Sequence, residues 1–544
     1  MTASQFSALE YIKRLSAVGT ALSAEKDDRR LMELILRSAK ELTHADGGTL
    51  YSRTEDNALR FEIMLTDSLG IHMGGTSADP ITLPNVELRD TAGHANDHMV
   101  AARAAVSGAT VNIPDAYAAT DFDFSGTRAF DQRMGYRSTS FLTVPMRNHE
   151  DEVIGVLQLI NAIDEQSGEV TTFSAADQEI VESLASQAAI AVTNKRLIDA
   201  QRVLFEAFIE LIAGAIDDKS PYTGGHCRRV PELTLMIADA AAATTEGPLK
   251  DFRMSPADRY ELKIAGWLHD CGKVTTPEYV VDKSTKLETI FDRVALIRTR
   301  FEVLKRDAEI QRLRRLHDGG ASSDAQALQR EYEATIAKLD ADRDFIERCN
   351  TGGEFMAPED QERVREIAAY RWVNAEGEEV DLLSEEEVYN LTVSRGTLTP
   401  EEREIINHHI VATIKMLESL PYPKHLRRVP EFAGGHHERM DGKGYPRGLR
   451  RDQMSVQARV MGIADIFEAL TAGDRPYKRA MPLSQALTIL GRMKEDNHVD
   501  PDLFDVFVRD KIYLRYAERY LEPEQLDEVD EGAIPGYQAR GSRS

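Results

Sequence analysis

The sequence is poor in cysteine and contains no long apolar run. Only three of its 544 residues are cysteine, Cys227, Cys271 and Cys349, which is too few for a disulfide framework and favours a reducing compartment. No segment approaches the ~20 consecutive apolar residues that a membrane span requires. The first residues also lack the apolar core of a secretory signal. We therefore expect a cytoplasmic protein without a membrane partner.

Positive charge is outnumbered by negative charge. The chain has 66 Lys and Arg residues against 91 Asp and Glu residues, a formal net charge of −25. Because broad binding to nucleic acid or to an anionic membrane needs basic surface, this balance argues against a nucleic-acid polymer as partner. It leaves room for a small anionic ligand held by a local group of cations or metal ions. The length predicts about three or four domain-sized units.

The N-terminal third predicts an α+β domain of about 170 residues. Helix-spaced apolar residues cover 29–43, and a second long helical pattern covers 173–200. Between them, two pairs of alternating runs predict antiparallel hairpins. The paired runs are TLYS (49–52) with LRFEIML (59–65), and TSFLTVPMRN (139–148) with VIGVLQLINA (153–162).

This order of elements, together with TVPM, GVLQLINA and FSAADQEIVESLASQAAIAV, resembles a GAF domain over residues 25–195. The resemblance implies a small-molecule sensor or a regulatory fold. Some cyclic-nucleotide-binding GAF domains carry the pattern Asn-Lys…Phe-x3-Asp-Glu, but here Ala162 follows Asn161, and Gln178 follows Asp177. Two marker residues are therefore absent. An unknown small ligand and an assembly module with no ligand both remain open.

Helical periodicity dominates from residue 201 onward. One stretch predicts an antiparallel helical hairpin, because apolar residues recur at spacings of 3 and 4, stop at the loop 317–324 and then resume. The two apolar series are Leu287, Ile290, Val294, Ile297, Phe301 and Leu304, and then Leu328, Tyr332, Ile336 and Leu339. Such helices favour a homodimer. Residues 350–397 are acidic. We expect residues 521–544 to form a flexible tail.

Three segments carry the residue types of a metal site. They are HDCGK at 269–273, which closes a helical run, HHE at 436–438, and Asp465 within the apolar helix VMGIADIFEAL. Each has an ordinary structural alternative, such as a hydrogen-bonded His-Asp pair or pairing of Asp465 with Arg459. Their joint occurrence favours a site with several metal ions, and mixed imidazole and carboxylate ligands suit Mn, Fe or Zn.

The motifs HDCGK (269–273), HHERMDGKGYP (436–446) and ADIFEALTAGDRPYK (464–478) resemble the HD-GYP branch of the HD-domain phosphohydrolases. The resemblance covers roughly residues 200–520. It implies a helical domain that hydrolyses the bacterial second messenger cyclic di-GMP to linear pGpG, to GMP or to both, with two or three iron or manganese ions. The metal ligands implied by position are His226, His269, Asp270, His409, His436, His437 and Asp465.

The resemblance also implies roles for further residues. Three-metal members carry a Glu where this chain has Tyr222, so two divalent ions are expected. Isoleucine at 410 replaces the family's proline, which leaves open whether His408 or His409 binds metal. Asp270 would bridge two metal ions, and Lys273 would neutralise charge on the phosphate. The expected substrate-binding residues are Lys273, Gly444, Tyr445, Pro446, Arg475 and Lys478.

Together these features predict a multidomain chain, in which an α+β GAF-like sensor precedes an all-α HD-domain phosphohydrolase with a helical-hairpin insertion. The expected segments are an N-terminal helical segment (1–24), the sensor (25–195), a connecting helix (196–218), the HD-GYP domain (219–520, with its insertion at about 284–397) and the tail (521–544). We expect a metal-dependent cyclic di-GMP phosphodiesterase regulated by its sensor. The alternatives are a cyclic-dinucleotide-binding or partner-docking module with little turnover, and a phosphohydrolase of another cyclic nucleotide, such as a GMP-AMP hybrid.

Overall fold

A computed structural model describes residues 3–90, 93–219, 225–319, 324–353, 355–473 and 481–538. The chain divides into two compact units, Met1–Phe205 and Glu206–Ser544. None of the helices within the described ranges is long and apolar enough to cross a membrane.

Unit 1 is a sheet with helices on both faces. Its elements are α1 (Ala3–Ala24), α2 (Asp28–Thr43), β1 (Ala45–Arg53), β2 (Ala58–Thr66), β3 (Ile71–Gly74), β4 (Val86–Glu87), α3 (Val100–Ser107), β5 (Val111–Ile113), α4 (Ser125–Met134), β6 (Phe141–Arg147), β7 (Val153–Ile163), β8 (Val170–Thr171) and the start of α5 (Ala175–Lys219). The strands pair antiparallel in the order β3-β2-β1-β7-β6-β5, with β4 beside β2 and β8 beside β7. Both predicted hairpins, β1–β2 and β6–β7, are confirmed.

The core of unit 1 lies between the sheet and the helices α2 and α5. Leu36 on α2, Leu50 on β1, Leu157 on β7 and Val181 on α5 are completely buried in one apolar cluster. This cluster explains the helix-spaced apolar residues of 29–43, since those residues cover the strand face that alternation turns inward.

Asn161 is held by contacts within the fold. Its backbone has a φ of 56°, in the left-handed region that asparagine tolerates better than most residues. Its side-chain oxygen accepts hydrogen bonds from the backbone amides of Thr139 and Ser140, at 2.7 and 3.3 Å, while its amide nitrogen donates to Tyr136 Oη and to the Arg137 carbonyl. The side chain therefore fastens the turn before β6 to β7.

Within its described residues, unit 2 is helical apart from one two-stranded sheet. Its elements are the end of α5, then α6 (His226–Ala243), α7 (Pro256–Leu268), α8 (Glu278–Val281), α9 (Val294–Gly319), α10 (Ala325–Asn350), α11 (Pro358–Ala368), β9 (Arg371–Val373), β10 (Glu379–Asp381), α12 (Glu385–Leu391), α13 (Pro400–Glu418), α14 (Val429–Gly434), α15 (Val456–Thr471), α16 (Leu483–Glu495), α17 (Pro501–Arg509) and α18 (Ile512–Tyr520). The antiparallel pair β9–β10 corrects the all-α expectation. Its strands are only three residues each, too short for alternation to be visible in the sequence.

The insertion forms a subdomain with its own core. Helices α9 and α10 pair antiparallel, as predicted, and are joined along their length by Arg298–Glu347, Lys305–Asp340 and Arg315–Glu331. The predicted apolar seam is wrong at its start, because α9 begins only at Val294 and the Ile290 side chain is 98 % exposed. Asp292 accepts a hydrogen bond from the Val294 amide at 2.9 Å. This side-chain to backbone bond favours a helix that starts at Val294 over one that starts a turn earlier.

The acidic segment after the hairpin, 350–397, folds onto its base. Completely or almost completely buried residues from α9, α10, α11 and the loop before α12 share one apolar cluster with Leu391. These residues are Ile297, Phe301, Ile346, Val364, Ile367, Leu382 and Leu383. Sparse apolar residues thus suffice here, because most of the large ones contribute to the same core.

Residues 521–538 are packed against the rest of unit 2, which differs from the flexible tail expected there. Ile534 is buried in the main apolar cluster of unit 2, which also contains Phe467 and Phe504. The Gln525 side chain donates hydrogen bonds to the carbonyls of Thr471 and Met481, at 2.9 and 3.0 Å. This segment therefore packs against α15 and α16, although its polar composition predicts a flexible tail. The remainder of the predicted tail, 539–544, lies outside the described residues.

Candidate metal centre

Five helix segments bring the predicted ligands together. Helix α7 begins with a capping box between Ser255 and Asp258. His269 and Asp270 follow the end of α7 and precede a 3₁₀ turn that starts at Cys271. His226 is the first residue of α6, and His409 and Asp465 lie within α13 and α15. His436 and His437 follow α14 directly.

The first group of side chains contains His226, His269, Asp270 and Asp465, whose ligand atoms all lie within 4.8 Å of one another. His226 Nε2 is 3.1 Å from Asp270 Oδ2 and 3.3 Å from Asp465 Oδ1. His269 Nε2 lies 3.2 Å from the same Asp270 oxygen. Two carboxylates and two imidazoles thus converge on one point, as the ligands of a divalent metal ion do.

The second group contains Asp270, His409, His436 and His437, again within 4.8 Å. His409 Nε2 is 3.2 Å from Asp270 Oδ1, and His436 Nε2 is 3.9 Å from the same oxygen. The Nε2 atoms of His409 and His437 are 3.3 Å apart. Asp270 therefore belongs to both groups, with Oδ2 facing the first and Oδ1 facing the second.

Backbone carbonyls fix the orientation of three of the imidazoles. In each case Nδ1 donates a hydrogen bond to the carbonyl three residues earlier, which assigns the proton to Nδ1 and turns the Nε2 lone pair towards the site. The pairs are His269–Gly266 (2.7 Å), His409–Ile406 (2.5 Å) and His436–Ala433 (2.6 Å). The accepting carbonyls belong to the last turn of α7, to the interior of α13 and to α14.

A buried glutamate that the sequence reading missed orients the fourth imidazole. Glu468 is 1 % exposed, and its Oε2 is 2.5 Å from His226 Nδ1. Its other oxygen accepts a hydrogen bond from Arg229 at 2.7 Å. The signal was present in the sequence, because Glu468 lies three residues after Asp465 and so shares its helix face.

Replacing Glu468 with glutamine is expected to weaken metal binding by roughly 10- to 100-fold, the usual cost of losing a partner that orients a metal-bound histidine. The substitution keeps the volume but removes the charge that fixes the His226 ring. Calorimetric titration with Mn²⁺ measures the effect. Glu404→Gln, at an exposed position on α13, is the matched control, and equal affinity in the two variants would show that Glu468 does not orient the site.

The donor set fits divalent metal ions. Asp270 Oδ1, His269 Nε2 and His436 Nε2 are buried and have no hydrogen-bond partner among the described residues. His269 Nε2 is close to a carboxylate oxygen, but not in hydrogen-bonding geometry. Buried polar atoms almost always have a hydrogen-bond partner. Three buried ligand atoms that face one another without such a partner therefore indicate that a cation binds between them.

The pKa values of the site side chains are strongly displaced. Burial lowers the pKa of His437 to about 4, and burial with the neighbouring imidazoles lowers that of His436 well below its usual value. Burial also disfavours the charged form of His269, but the Asp270 carboxylate outweighs it and raises its pKa to about 9. Burial disfavours ionised Asp270 too, yet Lys273 and His269 hold its pKa well below the usual range. The two carboxylates thus attract positive charge to the first group.

Lys273 lies at the edge of the two groups. Its Nζ donates a hydrogen bond to Asp270 Oδ2 at 2.6 Å, and its side chain remains 25 % exposed. The ammonium group therefore contacts the shared carboxylate, while part of the Lys273 side chain remains accessible to solvent.

The segment 442–446 closes one side of the site. The Tyr445 ring stacks on the His437 ring, with centroids 4.8 Å apart, and the Tyr445–Pro446 peptide bond is cis. A Cβ at Gly444 would overlap the Arg439 amide nitrogen, so only glycine fits there. Glu438 accepts hydrogen bonds from the backbone amides of Arg447 and Leu449, which follow this segment.

The structure shows where several residues singled out in the sequence lie. His408 is exposed, whereas His409 is buried and belongs to the second group. Arg459 pairs with Asp500 and not with Asp465. Tyr222, Arg475 and Lys478 lie outside the described residues.

Comparison with protein families agrees with this architecture. A GAF domain model matches residues 28–192, and two HD domain models match residues 223–349 and 385–503. An HD domain implies binding of a divalent metal ion, and the two groups around Asp270 supply suitable ligands.

Three curated relatives match about a fifth of the chain. A 3′3′-cGAMP-specific phosphodiesterase of Vibrio cholerae is 42 % identical over 20 % of this chain and 23 % of its own length. Cyclic di-GMP phosphodiesterases of Thermotoga maritima and Pseudomonas aeruginosa are 34 % and 37 % identical, each over 21 % of this chain and over 30 % and 26 % of their own lengths. The chain thus spans less than a third of each relative.

The motifs, the helical fold around them and these matches agree: the chain combines an N-terminal GAF domain with an HD domain, and the motifs around its two metal-ligand groups resemble those of the HD-GYP branch.

Proposed function

We propose that this chain is a metal-dependent phosphodiesterase that hydrolyses cyclic di-GMP to linear pGpG, to GMP or to both, under the control of its GAF domain. The observation that carries the proposal is the position of Asp270, whose two carboxylate oxygens each face a separate group of imidazoles. A shared carboxylate between two ligand sets is the arrangement of a two-metal hydrolase.

Two divalent ions, iron or manganese, suit this donor set. His226, His269 and Asp465 would hold one ion, His409, His436 and His437 would hold the other, and Asp270 would contact both. When bound, such ions supply Lewis-acid activation of water and of the phosphodiester.

The protein's own side chains contribute binding and charge. Lys273 stays protonated beside Asp270, which raises its pKa against the opposing effect of burial, and its ammonium would neutralise negative charge that develops on the non-bridging phosphate oxygens. Tyr445, whose ring stacks on His437 and is partly exposed, would contact a base. Gly444 and Pro446 would shape the same wall, and Arg475 and Lys478 remain candidates for the phosphate or the guanine edge.

The named relatives differ in the bases of their substrates. Two of the three relatives named above act on cyclic di-GMP, and the third is specific for 3′3′-cGAMP. The two substrates share the phosphodiester ring and one guanine. The metal centre serves both, so the second base decides between them.

Turnover of the two dinucleotides by purified, anaerobically Mn²⁺-loaded protein tests the function. We expect cyclic di-GMP to be cleaved, with pGpG or GMP as product and with activity lost after chelation. Faster cleavage of 3′3′-cGAMP would transfer the assignment to that substrate. Cleavage of neither, with two metal ions bound, would contradict the phosphodiesterase assignment and favour a binding module.

We also propose that regulation involves a homodimer formed through α5. Apolar side chains recur on this helix every seven residues and are about half exposed or more, at Ile190 (52 %), Leu197 (49 %), Leu204 (56 %) and Leu211 (67 %). A seven-residue apolar repeat is the pattern by which helices pair in a coiled coil. The ligand of the GAF domain is not assigned by this proposal.

A further inference from the structure

The last turn of α5 contacts the segment that carries the shared metal ligand. Lys219 Nζ donates hydrogen bonds to three backbone carbonyls, those of Lys273 (3.0 Å), Val274 (2.7 Å) and Thr276 (2.6 Å). An ammonium group has three donors, so all of them are used on this one turn. The turn begins directly after Asp270, and Lys219 thereby fixes the backbone that follows the shared carboxylate.

A second residue of the same helix turn contacts the start of α6. Asp217 is 5 % exposed, and both of its carboxylate oxygens lie 3.2 Å from the Cys227 amide nitrogen. Helix α6 begins at His226, so a negative charge sits at the N-terminal end of that helix, where the free amides and the helix dipole favour it. Asp217 thereby fixes the backbone beside another metal ligand.

The two contacts hold two different segments of the first ligand group, the one that carries His226 and the one that carries Asp270. The Asp217 contact determines where α6 places His226, and the Lys219 contacts determine where the HDCGK turn places Asp270. His226 Nε2 and Asp270 Oδ2 are 3.1 Å apart. Buried Ile209, Ala213 and Ile216 hold the same stretch of α5 in the apolar core of unit 2. A shift or rotation of this helix end therefore changes the distance between two metal ligands without any contact to metal or substrate.

We propose that Asp217 and Lys219 are positioning residues for the first metal-ligand group and the points at which α5 controls it. This inference rests on the metal centre of the proposed function and adds to it a route of regulation. Because coupling requires a contiguous physical connection between a moving element and the site, these two side chains form the final link of that connection.

The test uses substitutions on one helix turn of the full-length protein. Lys219→Met removes the three hydrogen bonds but keeps the aliphatic stem, and Lys219→Arg restores a charged donor group. Asp217→Asn removes the charge at the N-terminal end of α6. Asp218→Asn is the matched control, because Asp218 is exposed between the two residues.

Two readouts separate positioning from general stability. Calorimetric Mn²⁺ titration is expected to show about 10-fold weaker binding of one of the two ions in Lys219→Met and Asp217→Asn, within the range known for residues that orient metal ligands. Steady-state kinetics with cyclic di-GMP are expected to show kcat reduced about 10-fold and KM within about twofold. Asp218→Asn should match wild type, and Lys219→Arg should recover most of the Mn²⁺ affinity.

Wild-type affinity for both ions in folded Lys219→Met and Asp217→Asn proteins would overturn the inference. Equal loss in Lys219→Arg and Lys219→Met would overturn the role of the ammonium contacts. If the Met variant fails to fold, as judged by circular dichroism, Asp217→Asn decides, since it keeps a hydrogen-bond acceptor for the Cys227 amide. If wild type binds two Mn²⁺ ions but cleaves no dinucleotide, the proposed function fails while the titration still decides this inference.

Discussion

Replacing Asp270 with asparagine is expected to abolish cyclic di-GMP hydrolysis, with a loss of about 10³-fold or more, as expected when a central electrostatic group is removed from a catalytic site. Both oxygens of Asp270 face imidazoles, and the side chain is only 2 % exposed. An amide has one oxygen acceptor and no charge, so it cannot serve both ligand groups. Loss of the charge also removes the partner of the Lys273 ammonium.

Metal content and turnover of the Asn variant, measured on the same preparation, check this expectation. Bound metal should fall below two ions per chain together with the activity. The matched control is Asp452→Asn, at an exposed position in the same unit, which should retain both. An Asp270→Asn protein with more than about a tenth of wild-type turnover would contradict the central role of this carboxylate.

Replacing Gly272 with alanine is expected to disrupt the site through the backbone. A Cβ at this position would overlap the His409 carbonyl oxygen and lie 2.5 Å from the Thr413 amide nitrogen. The Gly272 amide also donates a hydrogen bond to Thr413 Oγ1 at 2.8 Å, so the turn and α13 are in direct contact. Relief of the overlap requires Asp270 and His409 to move apart, and overpacking of this kind costs about 1–3 kcal/mol or more.

Thermal unfolding and Mn²⁺ titration measure both consequences for Gly272→Ala. We expect a lower unfolding temperature and weaker metal binding, in contrast to Gly353→Ala, where a Cβ meets nothing within 4 Å. Wild-type stability and affinity in Gly272→Ala would mean that α13 moves freely relative to the HDCGK turn. The proposed geometry of the second ligand group would then be wrong.

Elements that follow from a local sequence pattern were predictable. The hairpins β1–β2 and β6–β7 follow from alternation, and α15 follows from the apolar run around Asp465. The joint occurrence of HDCGK, HHE and Asp465 favoured a metal site, the resemblance implied the full ligand set, and the structure brings these segments together. Local pattern and motif order thus gave the architecture and the candidate ligands.

Features that depend on distant partners were not predictable. Glu468 acquires its role only because α6 places His226 against α15, a contact across 242 positions in the sequence. The packing of Ile534 and Gln525 needs a complementary surface on α15 and α16, which composition does not reveal. His409 differs from His408 only in the face of α13 that it occupies, and the neighbouring helices decide which face is buried. In each case tertiary contact overrides a local signal.

The most direct measurement for the whole account is anomalous X-ray diffraction from crystals of the Mn²⁺-loaded protein. The account predicts two anomalous peaks, one among His226, His269 and Asp465, the other among His409, His436 and His437, with Asp270 contacting both. A single peak, or peaks held by side chains outside these two groups, would contradict it.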